Sequence, residues 1–448
     1  MLVRFTSVLQ LALLLATAAA AMLQAARQKA VHLAPGFVAA NGTRLQRSGQ
    51  EYYISGANYW QAMHLGMEAG ASSNRARVLS DLQRLEALGI NTLRILASSE
   101  GAIAGTGRIG PPLMPAPGVY DEAVLGGLDW VLAQLPRHNM MAVVSLGNYW
   151  TWSGGLAQMV SWATDTSIPY ASEWDPVQQR WTAGDYAAFL RYTNQFYTDS
   201  QAQQIYFDNV RRIVGRRNRV TGQLYARDTS ILAWELLNEP QRAPGAEDFL
   251  AQAAQTVRAL DTHHLVTVGA ECKDGAEWFW RMHRDPAVTL ASCHFWAANW
   301  GLYNATDPTE SSLAHATDQM RRFVADTADW ARALGLPVAL LEYGLGRDAW
   351  GTGAGLGAYR PETPVTHRDK YYADVLRAVR QSGHVGSAFW AYAGSARPPE
   401  GPSREPSWTG DPPHEPAGWN SVFDSDHSTL EIIHLDQCPV NYGIGHTH

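Results

Sequence analysis

Residues 231–240 read Ile-Leu-Ala-Trp-Glu-Leu-Leu-Asn-Glu-Pro. A mostly apolar run, with little sign of alternation, ends abruptly in Asn238, Glu239 and a proline. A short apolar segment closed by a breaker is the pattern of a strand buried on both faces, as in a parallel sheet. The polar pair then falls at the carboxyl end of that strand.

The same pattern recurs on both sides. Upstream, strands are expected at Tyr52–Ala57, Asn91–Leu96 and Met140–Leu146. Downstream, they are expected at Leu265–Val268, Leu290–His294, Val338–Leu341 and Gly386–Ala391. Helical periodicity fills most gaps. Ala76–Leu88 carries Val78, Leu79, Leu82, Leu85 and Leu88 on one face, and Gly89 stops it. Further helices are expected at Asp121–His138, Gln203–Val214, Ala246–Leu260, Ala276–His283, Ser312–Leu334 and Arg368–Gln381.

Eight apolar strands separated by helices predict an α/β fold, a closed (β/α)₈ TIM barrel with its site at the carboxyl ends of the strands. An open doubly wound sheet is the competing fold. It usually carries a glycine-rich phosphate loop after its first strand. Here that position reads Gly56-Ala-Asn-Tyr-Trp-Gln, which makes a poor pyrophosphate cradle. Gly105–Gly107 and Gly351–Gly357 lack the strand-then-helix setting and read as loops. No internal repeat or long linker is visible, so residues 35–436 form one expected domain, with 437–448 as a tail. Gly105–Gly118 and Arg397–Gly418 read as long loops on the catalytic face.

Composition narrows the function. Of the 448 residues, 46% are hydrophobic and 17% charged, which excludes a disordered chain. A net charge of −7 offers no basic excess for a nucleic-acid partner. The unusual number is 17 Trp beside 18 Tyr and 11 Phe. Trp is large, amphipathic and seldom fully buried, and such an excess suits a cleft that stacks flat apolar faces such as sugar rings.

The chain starts Met1-Leu-Val-Arg-Phe, followed by an apolar stretch from Leu9 into an alanine run at Ala21. This is the form of a secretory signal peptide, residues 1–21, and predicts a secreted enzyme with no membrane attachment after cleavage. Elsewhere no run of about 18 apolar residues spans a membrane. Cys272, Cys293 and Cys438 are too few for a disulfide framework. Cys272 and Cys293 can pair in an exported protein or remain as separate buried thiols. With no CxxC or HExxH spacing, no metal or cofactor is expected.

Polar residues at strand ends become the site candidates. Arg94 interrupts Leu93-Arg-Ile-Leu96, Asn238 and Glu239 end the fourth strand, His294 the sixth and Glu342 the seventh, and Trp390 lies in the eighth. Two carboxylates facing each other across a barrel mouth meet the demand of glycosidic hydrolysis, one acid for the leaving oxygen and one ionised group opposite. Glu239 and Glu342 fit that pair. Glu235, four residues before Glu239, points deeper into the barrel and needs a buried partner. Glu100 and Asp348 are expected beside the site in support, and Glu271 on the rim in a salt bridge.

The motifs Gly56-Ala-Asn-Tyr-Trp60, Leu93-Arg-Ile-Leu-Ala-Ser-Ser-Glu-Gly101, Asn148-Tyr-Trp-Thr-Trp-Ser-Gly-Gly155, Trp234-Glu-Leu-Leu-Asn-Glu-Pro240, His294-Phe-Trp-Ala-Ala-Asn-Trp-Gly301, Leu341-Glu-Tyr-Gly-Leu-Gly-Arg-Asp348 and Phe389-Trp-Ala-Tyr-Ala-Gly394 resemble the endo-β-1,4-mannanases of glycoside hydrolase family five. The late run Gly410-Asp-Pro-Pro-His and Asn420-Ser-Val-Phe-Asp-Ser-Asp426 is similar to their bacterial members. The resemblance covers about residues 35 to 435. It implies a retaining endo-acting enzyme, a monomer whose partner is the polysaccharide β-mannan, with Glu239 as acid/base and Glu342 as nucleophile. It implies that Asn238 binds the sugar 2-hydroxyl and that Arg94 keeps Glu342 ionised. His294 orients groups near Glu239, Trp390 is the stacking floor, and Trp150 stands by the cleft. Trp60 and Tyr343 complete the expected support. Trp296 stands where many members have Tyr, which puts an indole N–H, a donor only, near Glu342. A β-glucanase, an exo-acting β-mannosidase and a non-catalytic glycan-binding barrel are the alternatives.

Overall fold

The computed structural model describes residues 35–101, 107–304, 308–348 and 363–437. The expected signal segment, residues 105–106 of the first long loop, the Gly351–Gly357 loop, Cys438 and the tail from 438 onward lie outside the described residues.

The eight apolar runs form strands β1 (Ile54–Asn58), β2 (Thr92–Leu96), β3 (Met141–Ser145), β4 (Ile231–Glu235), β5 (Leu265–Thr267), β6 (Ala291–Phe295), β7 (Val338–Tyr343) and β8 (Gly386–Phe389). Every residue in them is buried, which is why their sequences run apolar instead of alternating. All neighbours are parallel, in the order β5-β4-β3-β2-β1-β8-β7-β6. A parallel bridge between Ala270 and Cys293 joins the two end strands, making the sheet a barrel.

The helices follow their strands in turn. They are α1 (Arg75–Ala87), α2 (Glu122–Gln134), α3 (Ser200–Val214), α4 (Ala246–Leu260), α5 (Gly275–His283), α6 (Glu310–Ala333), α7 (Thr366–Ser382) and α8 (His427–Gln437). Their starts are written in side chains. Asn74, Asp121, Asp199 and Thr309 each accept a hydrogen bond from a first-turn N–H. The apolar face of each helix meets the outer face of the barrel in one continuous core.

A second core fills the barrel itself, with Ile54, Val143, Ala233, Ala339, Leu341 and Ala388. Val38 and Leu45 join it from an antiparallel hairpin, Val38–Asn41 with Arg44–Arg47, which plugs the amino-terminal end. The opposite end is open and carries the long loops. The excursion after β3 adds helices Gly155–Thr164 and Tyr186–Thr193, and residues 390–426 follow β8. Among the described residues no helix is long and apolar enough to cross a membrane.

The barrel is irregular where β6 meets β7. Cys293 pairs with Leu340 but His294 pairs with Glu342, so β7 carries an extra residue, Leu341. Ala339 and Leu341 both face the barrel core, and unbroken alternation would turn Glu342 towards the helices and Tyr343 inward. The bulge reverses this, as bulges beside active sites do.

Candidate active site

The bulge aims Glu342 at the barrel mouth. There it accepts a hydrogen bond from Arg94 Nη1 and another from Trp296 Nε1 at 3.1 Å. Glu239 stands just past β4 with φ of +55°, its N–H bound to the Gly269 carbonyl at 2.7 Å. Gly269 itself sits at φ +84°, where a Cβ would fall 2.3 Å from the Leu237 oxygen and 2.7 Å from the Glu235 carboxyl carbon. Only glycine lets the two segments approach this closely. Glu239 accepts from Trp150 Nε1 at 2.5 Å, and its other oxygen lies 3.0 Å from His294 Nδ1. An oxygen of Glu239, an oxygen of Glu342 and a nitrogen of His294 all fall within 4.8 Å of one another.

Arg94 is the hub beneath them. It forks onto Glu235 at 2.6 and 2.8 Å, reaches Asn238 Oδ1 at 2.7 Å and Asn58 Oδ1 at 3.0 Å, and pairs with Glu342. Glu235 thus has the buried partner its position demanded. Asn238 is fixed from the other side by donating to Asn148 Oδ1 at 2.9 Å.

Burial drives the electrostatics. It pushes the Glu239 carboxyl up, with the Trp150 N–H and then Lys273 and Arg94 opposing. It pushes Glu342 up as well, opposed chiefly by Arg94 and reinforced by the charges of Glu239 and Glu235. His294 is driven down to about 3 by burial and the Arg94 charge, so its ring is neutral. The close partners of Glu342, a guanidinium N–H and an indole N–H, can only donate. Glu239 likewise accepts from the Trp150 N–H, and its other oxygen lies against the neutral His294 ring.

Above the carboxylates lies a cleft of about 450 Å³. Trp150, Trp152, Trp181, Trp296, Trp300, Trp390 and Trp419 line it together with Asn238, Glu239 and Glu342. Seven of the 17 tryptophans are thus gathered in one cleft. Glu271 lies on the cleft wall and forms the expected rim bridge, with Lys273 at 2.5 Å, while also accepting from Trp300 and Gln241.

Two expected support residues are elsewhere. Tyr343 is buried in the outer core with its ring against Tyr372 of α7 at 5.1 Å, because the bulge gives the inward place to Glu342. Trp60 packs behind the wall, against Trp152 at 5.4 Å and Trp408 at 5.8 Å, its N–H bound to the Gly410 carbonyl. Asp348 caps α7 instead of entering the site. Glu100 is buried under the turn that bears Trp150, accepting from Ser98 and from Gly155 N. Cys272 and Cys293 form a disulfide, which ties the Glu271–Lys273 wall to the residue before His294. Sequence reasoning missed Glu173, Lys273, Tyr186, Phe189, Asn299, His414, Glu415 and Trp419 on the cleft walls, all on loops or added helices. It also gave no role to Asn58.

A (β/α)₈ barrel presenting two close glutamates from the ends of β4 and β7, under a tryptophan-lined cleft, is the architecture of a glycoside hydrolase. The family model described as glycoside hydrolase family 5 β-mannosidase-like matches residues 35–441. The chain belongs to that family. It is 30% identical to mannan endo-1,4-beta-mannosidase 1 of Arabidopsis thaliana over 79% of this chain and 81% of that protein. It is 32% identical to mannan endo-1,4-beta-mannosidase 3 of Oryza sativa subsp. japonica, over 79% and 72%. The crystal structure of a family 5 mannosidase from Rhizomucor miehei superposes with a TM-score of 0.82 at 36% identity, covering 90% of this chain and 97% of that one. The Thermotoga petrophila endo-1,4-beta-D-mannanase shares the fold, with a TM-score of 0.63 at 21% identity, over 86% and 99%.

Proposed function

We propose that the protein is a secreted, monomeric, retaining endo-β-1,4-mannanase that cuts mannan, glucomannan or galactomannan by double displacement. The observation that carries the mechanism is the spacing of Glu239 and Glu342. Their nearest oxygens, within 4.8 Å, suit the roughly 5–5.5 Å separation of retaining enzymes and leave no room for the water of an inverting site at roughly 6.5–9.5 Å. Protonated Glu239 gives its proton to the departing glycosidic oxygen. Glu342, held ionised by Arg94, attacks the anomeric carbon. Glu239, now a base, takes a proton from the water that releases the sugar. Asn238 meets the 2-hydroxyl, where a hydrogen bond strengthens in the transition state, and Trp390 carries the sugar ring.

The substrate assignment draws on relatives named for β-mannan and on an aromatic cleft suited to an uncharged chain. Secretion rests on the signal-like amino terminus. An exo-acting β-mannosidase is the second reading, favoured by one observation. The loops after β3 and β8 meet, Trp174 N–H bonding the His414 carbonyl at 2.8 Å, and Glu173, His414 and Glu415 line the cleft beside that junction.

Product profiles on linear mannan, glucomannan, galactomannan and a cellulosic control test both readings. Oligosaccharides from internal cuts are expected. Mannose alone supports the exo reading, and turnover on cellulose alone refutes both. Glu239→Gln and Glu342→Gln are expected to lose at least a thousandfold in rate while remaining folded; normal turnover in either sinks the site assignment.

A further inference from the structure

Asn58 ends β1, fully buried, one strand away from Arg94 and two from β7. Its amide orientation is fixed by its neighbours. Arg94 Nη1 can only donate, so Oδ1 faces it at 3.0 Å. The other neighbours are carbonyls, so Nδ2 faces them, at 2.8 Å to Leu341 and 3.2 Å to Phe389, with Ala388 at 3.4 Å.

Each contact touches a different part of the catalytic apparatus. Leu341 is the extra residue of the β7 bulge. A bulge leaves one residue outside the ladder, and a buried carbonyl left unpaired there is costly. The Asn58 amide satisfies that carbonyl and so stabilises the backbone form that aims Glu342 inward. Phe389 precedes Trp390, the cleft floor. Arg94 is the cation that contacts Glu342. One side chain therefore sets the nucleophile, its counter-ion and the stacking surface relative to one another.

We propose that Asn58 is a positioning residue for glycosylation, acting through the Leu341 bulge and Arg94 on Glu342. It touches no substrate. Its loss displaces the nucleophile by fractions of an ångström, and displacements approaching 1 Å cost about 10²-fold in rate. The proposal rests on Glu342 being the nucleophile.

The test uses Asn58→Ala, and Asn58→Asp, which keeps the shape but removes both N–H donors. Asp426→Asn serves as a control that weakens the fold away from the cleft. The readout is the rate of covalent labelling by a 2-deoxy-2-fluoro-β-mannosyl fluoride, with kcat and KM for an aryl β-mannoside and a thermal melt. Both Asn58 variants are expected to label about 10²-fold more slowly than wild type, with KM changed less than threefold, whereas Asp426→Asn labels at the wild-type rate below its melting temperature. Folded Asn58 variants that label within threefold of wild type overturn the proposal. So does failure of both to fold while Asp426→Asn folds, since Asn58 then serves the fold and not the site. Labelling of the wild-type protein away from Glu342 would instead defeat the mechanistic reading on which the proposal rests.

Discussion

Trp150→Phe isolates one force on Glu239, the proposed general acid. The indole N–H sits 2.5 Å from Glu239 Oε2 and can only donate, so it favours the carboxylate over the carboxylic acid. Phenylalanine keeps a ring beside Tyr149 and Phe189, which lie 5.1 and 6.0 Å from the indole, but deletes the donor. A hydrogen bond to a charged group contributes about 1.5–3 kcal/mol, and about 1.4 kcal/mol corresponds to one pH unit. Glu239 is nearly inaccessible, so little of this is lost to solvent screening. The Glu239 pKa is therefore expected to rise by about 1–2 units in the variant. The assay is the pH dependence of kcat/KM on an aryl β-mannoside with a poor leaving group, which requires the acid. The basic limb is expected to move upward by about that amount. A limb that stays in place or moves down refutes the assigned donor, or the role of Glu239 as acid.

Glu100 predicts a stability trend. Burial raises its carboxyl from 4.5 to about 7, so the native state holds that proton more tightly than the unfolded chain. Its contribution is fully favourable below about pH 4.5 and is lost as pH rises to 7, a change of about 3 kcal/mol. Glu100→Gln should flatten the denaturant-midpoint profile between pH 5 and 7; an unchanged slope refutes this. Asp426 holds two buried guanidinium groups, Arg347 at 2.6 Å and Arg368 at 2.7 Å. Asp426→Asn is expected to cost about 3–5 kcal/mol in urea unfolding, and less than about 1 kcal/mol would show that the cluster is not holding the carboxyl-terminal segment. The Cys272–Cys293 disulfide closes a 21-residue separation, so Cys272→Ala with Cys293→Ala should lose about 3 kcal/mol; an unchanged midpoint refutes this.

The barrel was legible because all eight strands are buried on both faces, which leaves unbroken apolar runs that stop at polar residues. Glu239 and Glu342 were legible as site candidates for the same reason: a charge closing an apolar strand needs a purpose. The inward turn of Glu342 was not legible, because it depends on a one-residue bulge that only the pairing of β6 with β7 reveals. That bulge is also why Tyr343, adjacent in sequence to Glu342, packs against α7. Lys273, Glu173 and Glu415 sit on loops whose course is set by tertiary contacts, such as the Trp174–His414 junction, and no periodicity marks them. Asn58 was hidden differently. It stood in a quoted motif, but its role requires knowing that β1 lies between β2 and β8.

In the proposed mechanism Glu342 forms a covalent bond to the sugar while Glu239 handles the proton. The most direct measurement is mass spectrometry of peptides from protein inactivated with a 2-deoxy-2-fluoro-β-mannosyl fluoride. One sugar per chain is expected, attached to the peptide containing Leu341-Glu342-Tyr343, with fragmentation placing it on Glu342. A label on Glu239, or turnover without any covalent adduct and with inverted products, would contradict it.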